Sequence, residues 1–89
     1  MDICIIEGNL ALVESLKDLL ENEGYGVDYF LDLGEIDDYL ILNKYSLIIS
    51  DLMLGEFDGL DFLKTIRNEI KRPIIILTAK DNKEDELRD

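Results

Sequence analysis

The chain has 89 residues, 47% of them hydrophobic and 34% charged, which fits one globular domain rather than a disordered segment. Twenty-one acids against nine bases give a net charge of −12, which disfavours a grip on nucleic acid or an anionic membrane and suits a magnesium ion or a basic partner face. Cys4 is the only cysteine, so no intramolecular disulfide forms; with no basic leader and no apolar run of membrane-spanning length, a cytoplasmic chain is expected.

Ile3 to Ile6 is a continuous apolar run of strand length, closed by Glu7, Gly8 and Asn9. From Leu10 the period lengthens: Leu12, Val13, Leu16, Leu19 and Leu20 predict one apolar helical stripe, with Asn9 as N-cap and Gly24 as the stop. Val27 to Phe30 is a weaker second strand. A second helical segment is expected from roughly Glu35 to Asn43, with Ile36, Tyr39 and Leu40 inward. Leu47 to Ile49 form a third strand that ends at Ser50 and Asp51. After a loop containing Gly55, Asp58 and Gly59, Leu60, Leu63, Ile66 and Ile70 mark a third helix, which Pro73 terminates. Ile74 to Leu77 is the fourth and most apolar strand, and residues 81–89 read as the first turns of a helix with Glu84 and Asp85 near its N-terminus.

The order is therefore β-α-β-α-β-α-β-α. Strands that are apolar throughout, not alternating, belong in a parallel sheet covered on both faces, with right-handed crossovers. Ligands gather in such sheets beyond the carboxyl ends of the strands. There the sequence places Glu7 after the first strand, Asp51 after the third and Thr78 after the fourth. Singly, each is most often a turn or capping residue. Together they make two carboxylates and a hydroxyl on one rim.

These segments resemble a known family. Ile5-Ile6-Glu7, Ile48 to Leu54, Asp58-Gly59-Leu60 and Ile76 to Lys80 are similar, in order and at family spacing, to receiver domains of two-component response regulators. The likeness is closest to the branch carrying a winged-helix DNA-binding domain, and it spans essentially the whole chain. It implies a flavodoxin-like (CheY-like) doubly wound parallel sheet of strand order 2-1-3-4, with residues 1–89 as the N-terminal portion of the domain. The family's fifth strand, its lysine and its last helix are expected to be absent; Lys80 lies too near Thr78 to be that lysine.

The resemblance further implies that Asp51 accepts a phosphoryl group from a histidine kinase. A carboxylate nucleophile then forms an acyl phosphate. Magnesium would be held by Glu7, Asp51 and the Met53 backbone carbonyl, with Thr78 as the hydroxyl that bonds the phosphoryl group and shifts, and the Ala79 amide beside it. Two departures matter. Gly8 stands where the family carries a second acid, which removes an expected metal ligand and weakens the magnesium site. Gly55 replaces a frequent proline and only loosens a loop.

Two readings stand: a phosphorylatable module controlling a DNA-binding output domain outside these residues, and a degenerate receiver working by protein–protein contact. Asp51, Met53 and Thr78 favour the first, Gly8 the second. An autonomous phosphatase lacks a second acid two residues after Asp51, where Met53 sits. A flavin module lacks a phosphate-cradling first loop. The fourth strand, left as an apolar edge, predicts a homodimer or other association.

Overall fold

The computed structural model describes residues 1–51, 53–54, 57–58, 64 and 66–77. Strand β1 (Asp2–Ile6) is followed by helix α1 (Leu10–Asn22), β2 (Gly26–Phe30), two 3₁₀ turns (Leu33–Glu35 and Tyr39–Lys44), β3 (Leu47–Asp51), β4 (Met53–Leu54), β5 (Phe57–Asp58) and β6 (Ile74–Leu77). The main sheet has the order β2-β1-β3-β6, all parallel. With the small β4–β5 pair set aside, this is the expected 2-1-3-4 arrangement.

Both parities of the strands are buried, as a two-faced sheet demands. Cys4, Ile6 and Ile48 pack on one face with Leu33, Ile36, Leu42, Tyr45, Ile66 and Ile70. Ile3, Ile5, Val27 and Ile49 pack on the other against Val13 of α1, with Leu16 and Leu20 partly covered. Each fully buried Ile, Leu or Val among them contributes about 1.5–3 kcal/mol of burial free energy.

Helix α1 has both termini satisfied. The Asn9 side chain accepts from the Leu12 amide at 3.2 Å. At the other end Gly24, at φ 98°, lets the Tyr25 amide reach the Leu20 carbonyl and the Gly24 amide reach that of Glu21. This is the Schellman arrangement, with Tyr25 and Leu20 packed beside the same cluster. The apolar stripe is only half right, because Leu12 and Leu19 stand exposed at its outer rim.

The second expected helix does not form. Residues 35–43 divide instead into two 3₁₀ turns separated by extended backbone at Ile36. The cause is local: Asp32 and Asp38 each take an amide two residues on (Gly34 and Leu40, both 3.0 Å), closing short turns that compete with an α-helix. This rotation buries Leu42 and leaves Leu40, expected inward, half exposed. Ile36 is buried and Tyr39 partly so, as expected.

Between β3 and the third helix, the expected loop contains a two-stranded antiparallel pair, Met53 opposite Asp58 and Leu54 opposite Phe57. Ile66 and Ile70 are buried as the helical spacing requires, and Lys64, Ile66 and Arg67 are helical. Leu60, Leu63, Thr78, Ala79 and the expected helix over residues 81–89 lie outside the described residues.

Candidate functional site

The site is built on the carboxyl ends of β1 and β3. Their pairing sets Ile5 opposite Ile49 and Ile6 opposite Ser50. One further residue along each strand reaches Glu7 and Asp51, on chains roughly 4.8 Å apart. Asp51 in turn pairs with Leu77, the residue before Thr78. Register alone thus brings Glu7 and Asp51 to one rim, with the end of β6 on the far side of Asp51.

Glu7 is 6% exposed, unusual for a carboxylate without a partner, and its environment supplies partners. Its amide donates to the Phe30 carbonyl at 3.0 Å, prolonging the β1–β2 ladder by one residue. Its Oε2 accepts from the Asn9 amide at 2.9 Å. The carboxylate therefore sits against the N-terminus of α1, where the helix dipole favours negative charge. The same Asn9 caps that helix through its side chain, so one residue orients the helix and fixes Glu7. Sequence reading identified the cap but not this second bond.

Asp51 is partly exposed. Ser50 beneath it is buried, and its Oγ donates to the Asp51 carbonyl at 3.3 Å.

Gly8 is exposed and does not have the positive φ that would demand glycine. A Cβ there would meet only the Leu31 carbonyl oxygen, at 3.4 Å. The backbone therefore admits an aspartate, and the missing acid is a property of the sequence rather than a requirement of the fold. Among the described residues, no three His, Cys, Asp or Glu side chains gather into a metal-binding group. Two carboxylates remain at the rim. They fit a hard cation that keeps most of its water, as magnesium does with one or two protein carboxylates.

Among the described residues, further polar links lie in and around the 3₁₀ segment. Tyr45 is buried and its hydroxyl donates to Asp28 at 2.8 Å; burial, then that bond, pushes its pKa up. Cys4 lies in the core beside it, and burial, then the Asp28 charge, pushes its thiol up to about 12. A thiol so raised is inert, in keeping with a packing role. Asn43 ties its 3₁₀ turn to the segment before β6. Its side chain accepts from the Lys71 amide at 3.1 Å and donates to the Glu69 carbonyl at 3.2 Å, while Arg72 Nε donates to its carbonyl at 2.8 Å. None of these long-range links has a sequence signature.

Comparison with known proteins agrees with this fold. Residues 3–88 match the response regulator receiver domain family. The chain is 35% identical over 81 residues to the transcriptional regulatory protein DltR of Streptococcus agalactiae, covering 90% of this chain and 36% of DltR. It is 39% identical over 89 residues to the transcriptional regulatory protein HprR of Escherichia coli, covering 99% of this chain and 40% of HprR. The chain thus spans well under half the length of these relatives. Among solved structures, the non-phosphorylated HemR receiver domain of Leptospira biflexa superposes with a TM-score of 0.79 at 28% identity, over 98% of this chain and 71% of that one. A Burkholderia pseudomallei response regulator with a phosphorylated aspartic acid, a calcium ion and citrate superposes at 0.72 and 26% identity, over 86% and 46%.

Proposed function

Since the chain belongs to the response regulator receiver domain family, we propose that it is the N-terminal portion of a receiver whose phosphoacceptor is Asp51. The observation that carries this is the register that puts Asp51 at the carboxyl end of β3 with Glu7 beside it, one residue beyond β1. A histidine kinase is the donor. An Asp51 carboxylate oxygen forms the O–P bond as the P–N bond to the kinase imidazole breaks, and the imidazole nitrogen takes up a proton. The transfer is stoichiometric, so the chain is a substrate of the kinase rather than an autonomous enzyme. The phosphorylated state then controls a DNA-binding output domain outside these residues, in the cytoplasm. Thr78 and the Ala79 amide receive the phosphoryl oxygens.

Receivers bind magnesium at this position, and in this chain Glu7, Asp51 and the Met53 carbonyl would hold it. Bound there, the ion neutralises the charge of the incoming phosphoryl group. Glu7 is held ready by the Asn9 amide, so its carboxylate needs little reorganisation. With Gly8 in place of an acid the site is weak, and this observation favours a second reading, a receiver that signals by contact without phosphate. β6, which pairs with β3 alone among the described residues and exposes Ile75, is the edge through which copies associate.

The deciding experiment treats the full-length protein with acetyl phosphate and magnesium and reads intact mass. A phosphate adduct that Asp51→Asn abolishes supports the first reading. No adduct in the parent, with one appearing in Gly8→Asp, establishes the contact reading. Gly8→Asp should also tighten magnesium binding in a calorimetric titration, and unchanged affinity would show that Gly8 is not the weak point. Light scattering over a concentration series tests the β6 edge, and a mass independent of concentration refutes association.

A further inference from the structure

Among the described residues, β2 forms the opposite edge of the sheet from β6. The Gly26 amide donates to the Met1 carbonyl at 3.1 Å, and the Phe30 carbonyl accepts from the Glu7 amide at 3.0 Å. In a parallel strand the hydrogen-bonding direction alternates, so Gly26, Asp28 and Phe30 face β1. Val27 and Tyr29 therefore turn their amides and carbonyls outward, away from the sheet.

A cavity lies on each flank of that edge. One, of about 380 Å³, sits on the α1 side between Tyr29 and Glu14, Lys17 and Asp18. The other, of about 440 Å³, wraps over the edge and reaches Lys44, Tyr45 and Asp28, with Lys17 again at its margin. Their charges differ in sign. The first holds two acids against Lys17, which is already paired to Glu21 at 3.0 Å. The second holds Lys17 and Lys44 against Asp28, which already accepts from Tyr45. Lys44 rests 5.1 Å from the centre of the Tyr45 ring, fixing that cation at the cavity.

We propose that the β2 edge docks an extended segment of a partner protein, which adds as a fifth strand and carries neighbouring basic and acidic residues. Outward Val27 and Tyr29 supply the backbone ladder, and successive side chains of an added strand fall on opposite faces. A Lys or Arg enters the acidic cavity beside Glu14 and Asp18, and the adjacent Glu or Asp enters the basic one beside Lys44. The β6 edge of a second copy is a poor occupant, because Ile74 to Leu77 carry no charge for either cavity. A lone anion fills one cavity and leaves the outward backbone unused.

The test is a titration of this chain, followed by amide NMR, with capped peptides rich in Thr and Val. One carries Lys and Glu at adjacent positions, which places them on opposite faces. Its control has the same composition with Lys and Glu two residues apart, on one face. The expected result is roughly tenfold tighter binding of the adjacent peptide, a difference typical of a misplaced charge pair. The amides of Val27 and Tyr29 should shift more than that of Asp28. Lys44→Glu, a surface change, should reverse the preference toward a peptide with two adjacent lysines, a gain that no folding defect imitates. Equal binding of both peptides, shifts outside β2, β2 shifts that track protein concentration without peptide, or the same shifts from sodium acetate alone would each overturn the proposal.

Discussion

The two faces of the sheet are covered by different means. On one side a single 13-residue helix, capped at both ends, lays Val13, Leu16 and Leu20 over Ile3, Ile5, Val27 and Ile49. On the other, two 3₁₀ turns and the Ile66–Ile70 segment enclose a larger cluster. There the ordering comes from side-chain hydrogen bonds: Asp32 and Asp38 close local turns, Asn43 reaches distant backbone at Glu69 and Lys71, and Tyr45 bonds the Asp28 carboxylate. The α1 face draws its order from a regular ladder, which many substitutions leave intact. The 3₁₀ face, besides its apolar cluster, draws its backbone path from a few separate polar contacts.

That contrast is broken most forcefully at Leu42, which is fully buried while Leu40 two residues earlier is half exposed. Leu42→Ala should cost about 2–5 kcal/mol in urea unfolding, and Leu40→Ala within about 0.5 kcal/mol. Equal losses would mean that the segment is a regular helix after all.

Next in size is Asn43→Ala. Removing two exposed bonds, to the Glu69 carbonyl and the Lys71 amide, should cost about 1–2 kcal/mol, at roughly 0.5–1.5 kcal/mol for a bond that water in part replaces. On the α1 face, Asn9→Ala should cost about 1 kcal/mol through the lost cap. If Asn9 proves the costlier of the two, the polar contacts of the 3₁₀ face are not what orders it.

Alkali should discriminate the faces more gently. Cys4 and Tyr45 both lie on the 3₁₀ face, and burial raises both, Cys4 from 9.0 to about 12. The folded state thus holds protons that the unfolded chain releases. Stability is full below about pH 9 and falls as pH rises toward 12. Urea midpoints from pH 8 to 11 should show this slope, and Cys4→Ala with Tyr45→Phe should flatten it. A slope unchanged in that double variant would place the titrating groups elsewhere.

The same contrast explains what the sequence made legible. Four apolar runs predicted four parallel strands, because strands buried on both faces have no polar alternation to confuse them. Asn9 and Gly24 marked α1 because capping is local chemistry. The leucine stripe was read too wide: Leu19, Leu12, Leu16, Leu20 and Val13 spread over roughly 120° of helix circumference, and only the Val13 side faces the sheet. Residues 35–43 misled for a subtler reason, since their apolar spacing is helical while Asp32 and Asp38 divert the backbone. Met53 and Leu54 pair with Phe57 and Asp58 in strands too short to leave a pattern. At the rim, Glu7 and Asp51 were legible because a strand end in a parallel sheet is predictable from the run before it. The Asn9 bond to Glu7 and the room at Gly8 depend on backbone direction, which residue order does not encode.

The position of β1 has a last consequence, for the order in which the molecule assembles. It precedes the other strands of the sheet in sequence, yet it must be flanked by residues 26–30 on one side and 47–51 on the other. Helix α1 is near enough in sequence to cover Ile3 and Ile5, but the β1 backbone lacks one of its two partners, and Cys4 and Ile6 much of their cover, until β3 is present. Such distant pairings are slow to close. Once closed they are the last to open, and the amides of Cys4 and Ile5 should exchange with deuterium only as fast as the whole domain unfolds.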